Sequence, residues 1–383
     1  MLVSKLLIVP NNMANFLNIL MHGQFKADIF LQVLRDFRKG GVNPKNYDSI
    51  ISIVKDLKFS ELSQFELTDI SKDDLTSIIR EINLRGIEHN KKCWHPDLSN
   101  SCDLDKSGNL KISAAHSIQN KGILNKISHN GHVMTYSIDK GEFKGANKGK
   151  SLASIFYGFC NKHDAIFNPI EMEKYNQTIQ QNFLFAYRGF VISAHKKIEG
   201  AYLMNFGEQY LNDINETKNI FDNAILNKDY DILETVVIEL PAFYPIATSS
   251  SFYLDFDFEN NSIPHSDDRM EMVFISLFPS ETKSYFILSY FKIDKHLYGN
   301  VGAQLKSRNK FKSDITMLIG AHVENVYFNP IYYETFIAKH EESLKKLKRE
   351  TQYDFMPANT NQVISMTPDN YLENLYEIDF FGY

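Results

Sequence analysis

Hydrophobic and polar positions recur with two different periods along this chain, and the change of period divides it. Over residues 1–90 the spacing is helical, as in Phe16, Leu17, Ile19 and Leu20 and again in Ile29, Phe30, Val33 and Leu34. Such a stripe buries one side of a helix against a neighbour. Gly40-Gly41 stops one run. Ser71, followed by Asp73 and Asp74, predicts a capped helix start, and Gly86 closes the segment. Residues 171–230 predict two long helices, with Ile179, Phe183, Ala186, Phe190 and Ala194 on one face. From Val236 the pattern shortens. Val236–Leu240, Ser251–Phe258, Met270–Phe278 and Ser284–Ile293 are rich in aromatic and β-branched residues, which favours strands. Pro279 to Lys283 reads as the hairpin turn between the last two. Helical spacing returns at Ile315, Leu318, Ile319, His322, Val323 and Val326, and Asn329-Pro330 predicts the capped start of a closing helix that runs to about Glu350. The remaining C-terminal residues are expected to pack loosely.

The middle of the chain, residues 91–170, is organised differently. A short strand starting at Leu110-Lys111-Ile112 leads to His116, and His132–Ile138 and Leu152–Phe159 predict two more strands. His129-Asn130-Gly131-His132 reads as a tight turn. Residues 140–150 read as a loop with three glycines and four lysines, Lys140, Lys144, Lys148 and Lys150. Its bland reading is a solvated loop; its functional reading is phosphate contact with nucleic acid. Asp103, Asp105 and Gly108 imitate the front of a calcium loop, but Ala114 stands where the bidentate Glu belongs, so a plain turn with Gly108 at positive φ is expected.

Composition narrows the picture. A chain of 383 residues suggests two or three domains, and 43% apolar residues are ample for buried cores. The expected division is a helical N-terminal segment at 1–90, a Cys/His zinc-binding module with its following long helices at 91–230, and a β-rich domain with a C-terminal helix at 231–383. The expected fold class is α+β. A formal net charge of −6 gives no bulk attraction to nucleic acid, so such contact would need a local basic patch. The abundance of Asn, Ile, Lys, Phe and Tyr is a habit of AT-rich genomes and hints at a bacterial source. No apolar run approaches the about 18 residues of a membrane span, and Met1–Pro10 lacks a leader cleavage site, so a cytoplasmic protein is expected. Gly-rich phosphate loops, nucleophile elbows and dinucleotide fingerprints are absent from the sequence, which argues against the common NTPase, hydrolase and Rossmann classes.

Candidate chemistry lies in residues 93–164. All three cysteines, Cys93, Cys102 and Cys160, fall there, along with His95, His116, His129, His132 and His163. Three cysteines cannot complete a disulfide framework, and the histidines beside them favour metal. Zinc takes about four thiolate or imidazole ligands, commonly as two close pairs. Cys160-x2-His163 has knuckle spacing. Cys93-x8-Cys102 is the wider partner pair, and His95 is a rival to Cys102. A structural zinc is the expected cofactor. The alternative is that the cysteines are ordinary buried residues.

This arrangement resembles the HNH, or ββα-metal, treble-clef nucleases. The matching residues are Cys93 and Cys102, then His116 at the end of a strand, then Cys160 and His163, then Asp164. The resemblance covers residues 93–164 alone. It implies His116 as general base and Asp164 as a residue holding a catalytic Mg²⁺ or another divalent ion. Ala115 replaces the acidic residue that usually precedes that histidine, Asp164 stands where a histidine is usual, and no asparagine is placed as the middle member. His116 also remains open as a zinc ligand or a hydrogen-bonded structural histidine. Arg188, on an otherwise apolar helix, is expected in a buried ion pair or a site. The polar loop His265–Arg269 is expected in solvent. The functional expectation is a metal-dependent nuclease acting on DNA or RNA, of a defence or mobile-element kind. The rival is a non-catalytic zinc scaffold whose β-rich C-terminal region binds a protein or small ligand. No membrane partner is expected.

Overall fold

A computed structural model gives the architecture. It describes residues 87, 90–97, 102–139, 142–201, 208–265, 269–351, 354–355, 364–365 and 370–382. The helices expected over residues 1–90 therefore lie outside the described residues, apart from Ile87 and Asn90.

Among the described residues, nine strands build the large sheet and a ribbon, apart from the short pair Asp354–Phe355 and Ile364–Ser365: β1 (Ile112–His116), β2 (His132–Asp139), β3 (Glu142–Gly149), β4 (Ile155–Cys160), β5 (Leu233–Leu240), β6 (Ile246–Phe252), β7 (Val273–Pro279), β8 (Ser284–Phe291) and β9 (Val326–Phe328). The main helices are α1 (Ile179–Ala201), α2 (Glu208–Asn227), α3 (Lys295–Ser307), α4 (Phe311–His322) and α5 (Glu341–Thr351). Seven strands form one sheet in the order β3-β2-β9-β6-β7-β8-β5, and every neighbouring pair is antiparallel. β1 and β4 form a separate antiparallel ribbon. The fold is α+β, as the period change implies. The β2–β3 hairpin precedes residue 230 yet pairs with β9 through Met134 and Phe328, so the sheet is continuous across that point.

Both faces of the large sheet are covered. Val273, Ile275 and Leu277 of β7 pack with α3, α4 and α5 in one core. Phe274 and Phe278, on the opposite face, pack with Phe190 of α1 and Phe221 of α2 in a second. This is why β6, β7 and β8 are buried along their whole length and show no apolar–polar alternation. α1 lies so close to β6 that a Cβ on Gly189 would sit 2.8 Å from the Ser250 carbonyl oxygen. No helix among the described residues is long and apolar enough to cross a membrane.

Several expectations are corrected. Residues 142–149 are strand β3, in full register with β2 from His132↔Gly149 to Asp139↔Glu142, where a loop was expected. The strand expected from Ser251 runs instead from Ile246 to Phe252, because Asp257 turns the chain by accepting the backbone N–H groups of Glu259 and Asn261. The described C-terminal residues from 370 onward are not loose: Tyr371, Leu372, Ile378, Phe380 and Phe381 belong to the main core. There the Tyr371 hydroxyl lies 2.6 Å from His322 Nε2. His265 and Arg269 are not in open solvent. His265 sits 2.7 Å from the Leu254 carbonyl, and Arg269 pairs with the nearly buried Asp294. Asn329 does cap the closing helical run, its Oδ1 accepting from the backbone of Ile331 and Tyr332.

Candidate metal centre

The β1–β4 ribbon builds the site. Its register puts Ile112 opposite Cys160 and His116 opposite Ile155. The chain entering from Cys93 is tied to β4 by the Trp94 backbone N–H, which donates to the Gly158 carbonyl at 2.8 Å. Trp94 is 2% exposed and meets Phe190 of α1 edge-on, locking this strand-like entry against the second core. After Cys102, Asp105 accepts the backbone N–H groups of Ser107 and Asn109, and Gly108 takes φ +81°. The calcium-like run is therefore a turn, and it returns the chain to β1. Asp103 reaches back across this turn, its Oδ2 accepting the Lys162 N–H at 3.0 Å. That bond fixes the helical turn Asn161–Asp164 which carries His163.

Four side chains converge. The ligand atoms of Cys93, Cys102, Cys160 and His163 all lie within 4.8 Å of one another, and among the described residues they are the one group of three or more potential metal ligands. His163 Nδ1 is 3.3 Å from Cys93 Sγ, 3.5 Å from Cys102 Sγ and 3.4 Å from Cys160 Sγ. Cys93 and Cys160 sulfurs are 4.0 Å apart. A tetrahedral zinc with sulfur at about 2.3 Å and nitrogen at about 2.0–2.1 Å keeps its ligand atoms about 3.5–3.8 Å apart, so this Cys₃His set fits such an ion. Burial pushes the Cys93 thiol up to about 12 and raises Cys102 as well. Thiols in this setting become metal ligands by exchanging their protons for a cation. His95 is not one of the four. Its ring stacks on His163 with centroids 4.3 Å apart and planes 3° apart, and its Nδ1 accepts the Asp97 N–H.

His116 and Asp164 lie outside this set but share neighbours. Burial lowers the His116 pKa, opposed by the nearby Ser151 backbone, with the charges of Glu171 and Arg188 also acting on it. His116 Nε2 is buried without a hydrogen-bond partner. Burial raises the Asp164 carboxyl, and the same Arg188 and Glu171 act on it with opposite signs. Arg188 forms the expected buried ion pair, with Glu171, and its guanidinium stacks 4.2 Å from the Phe167 ring centroid. Glu171 was not legible as a site residue, because nothing in its local sequence distinguishes it from any surface glutamate.

The four lysines separate. Lys144 and Lys148 are exposed and, at positions i and i+4 of β3, share one face of the hairpin. Lys150 bonds the Asn125 side chain, and Lys140 lies outside the described residues. No protein-family model, curated protein or solved structure matches this chain.

Proposed function

We propose that this protein hydrolyses phosphodiesters in DNA or RNA, with the β1–β4 ribbon and its Cys₃His centre as the frame and His116 as the general base. The carrying observation is the state of His116. Burial favours the neutral ring, and Nε2 has no hydrogen-bond partner. A neutral imidazole with a bare nitrogen is what proton abstraction from water needs. The zinc in this reading is structural, because four protein ligands close its coordination shell.

Asp164 stands on the turn that follows Cys160 and feels the same Glu171–Arg188 pair as His116. It is the residue that would anchor a Mg²⁺, an ion that binds through one or two carboxylates, waters and substrate phosphate and supplies charge stabilisation to the leaving oxygen. Lys144 and Lys148 would contact the phosphate backbone from the hairpin whose last residues lead to Ser151. The rival is a zinc scaffold without catalysis; the enclosure of His116 Nε2 favours it.

The test is cleavage of single- and double-stranded DNA and RNA with Mg²⁺ and Mn²⁺, comparing wild type with His116→Ala. Loss of a general base removes about 10²–10⁴-fold in rate, and the variant should keep its zinc. A wild type that cleaves none of these substrates selects the scaffold.

A further inference from the structure

The turn His129-Asn130-Gly131-His132 has no part in the metal centre or in the proposed cleavage, yet it presents two histidines as a pair. Asn130 and Gly131 take φ +50° and +76°, the left-handed conformation of both central residues in a tight hairpin turn. His129 and His132 close that turn by exchanging both backbone hydrogen bonds, at 2.9 and 3.0 Å. Their side chains therefore leave the hairpin on one face, with Cβ atoms about 5.5 Å apart. The Lys150 N–H donates to the Gly131 carbonyl at 2.9 Å and ties the turn to the end of β3.

His132 is already oriented as a ligand. Its Nδ1 lies 2.9 Å from the Asn130 carbonyl oxygen, which can only accept, so Nδ1 carries the proton. In the neutral ring the lone pair is then on Nε2. Metal-bound histidines commonly have this arrangement, giving the other ring N–H to a backbone carbonyl that fixes tautomer and orientation. Both histidines are exposed. Across the hairpin His132 stands opposite Gly149, and a Cβ on Gly149 or on Gly131 would meet nothing within 4 Å. Room beside His132 is thus left for an ion with its waters, and His129 reaches the same space from across the turn.

A metal–nitrogen distance of about 2.0–2.1 Å puts two nitrogens of one ion about 3 Å apart. Two imidazoles rooted about 5.5 Å apart can meet that spacing. Among the described residues no carboxylate or third histidine groups with the pair. Two neutral imidazoles with water in the remaining positions suit Ni²⁺, Cu²⁺ or Zn²⁺ and not Mg²⁺ or Ca²⁺, which take oxygen ligands. We propose that His129 and His132 form a second metal site, an open two-histidine chelate for a divalent transition-metal ion of this borderline kind. The site shares no residue with the Cys₃His centre and is independent of His116 and of any nuclease activity.

The experiment is calorimetric titration of the full, zinc-loaded chain with Ni²⁺ at neutral pH, because Ni²⁺ suits imidazole and does not oxidise thiolates. Saturable binding of one Ni²⁺ per chain is expected, with the zinc retained and with excess Mg²⁺ unable to compete. His129→Ala and His132→Ala should each weaken binding about tenfold or more, because a chelate then loses its intramolecular second ligand. Circular dichroism and zinc content should be unchanged in both. The double variant should be little weaker than either single one, since a lone imidazole already holds the ion poorly. A wild type without saturable Ni²⁺ binding overturns the proposal, as does binding that both single variants leave unchanged, that Mg²⁺ abolishes, or that proceeds with release of zinc. Losses of about twofold that add in the double variant would show two independent surface histidines and overturn it as well.

Discussion

His163 Nδ1 lies 3.3 Å from Cys93 Sγ although 70 residues separate the two in sequence. The path between them includes the whole β2–β3 hairpin, so this contact exists only once β1 and β4 have paired. An ion held here would therefore clamp the two ends of a long excursion, and closing such a loop removes much conformational freedom from the unfolded chain.

Purified protein should contain about one zinc per chain. Cys160→Ser should lose it and expose Trp94, read as a red-shifted and quenchable tryptophan emission, which is unambiguous because the chain has one tryptophan. Structural zinc supplies folding free energy directly, about 10–16 kcal/mol of apparent binding energy in small zinc modules. A zinc-free protein with the same melting temperature and a shielded Trp94 would falsify the metal assignment.

The Glu171–Arg188 pair predicts an asymmetric mutational result. The Arg188 side chain is 3% exposed and that of Glu171 27% exposed. Glu171→Gln leaves the buried Arg188 cation without its bonded carboxylate, with the charge of Asp164 as the nearby compensation, at a cost of up to about 3–5 kcal/mol. Arg188→Met leaves a carboxylate that water can reach and should cost less. Denaturant melts of the two variants check the order; equal losses would show that packing around Phe167, rather than charge, dominates.

Burial lowers the His116 pKa below its usual 6.5. A histidine depressed in the folded state stabilises the fold at pH above its unfolded pKa, and that contribution is lost as pH falls through the folded value. Stability should therefore drop on acidification below about pH 6.5, and this part of the drop should vanish in His116→Gln. The ring resonances of His116, followed by NMR, should titrate below 6.5. If the protein cleaves nucleic acid, the acid limb of its rate profile should have its midpoint below 6.5 as well.

Lys144 and Lys148 face the same way on β3. If both contact phosphates, replacing them with alanine should flatten the slope of log affinity against log salt by about 1.8 for duplex DNA, at about 0.9 per contact. An unchanged slope clears this hairpin of a role. Lys150 is held by Asn125 and is the internal control, since its replacement should leave the slope nearly unchanged.

Cys160-x2-His163 was readable in the sequence because knuckle spacing places two ligands on one helical turn, a local property. Cys93-x8-Cys102 was readable only as a weaker pair, because its eight-residue bulge has no standard geometry. The choice of Cys102 over His95 came from the Asp103–Lys162 hydrogen bond, which fixes the residue after Cys102 against the turn bearing His163. The lysine-rich stretch 140–150 read as a loop because its glycines and lysines disfavour a strand. Pairing with β2 along eight positions overrides that preference. α3 and β9 were missed for related reasons. α3 carries Gly299 and Gly302, which weaken a helical pattern, and Gly302 is needed because a Cβ there would sit 2.9 Å from Val236. β9 is three residues long and gains its identity from β2 and β6 on either side.

The sequence by itself determined the element types with strong periodicity, the α+β class and the residues able to bind metal, since these depend on neighbours within a turn or two. Tertiary structure decided the rest. It joined β2–β3 to the C-terminal strands in one sheet, drew Tyr371 and Phe380 into the core, and placed Cys102, rather than His95, beside Cys93, Cys160 and His163. Each of these depends on contacts between residues far apart in the chain, and no local period encodes which distant surfaces will be buried together.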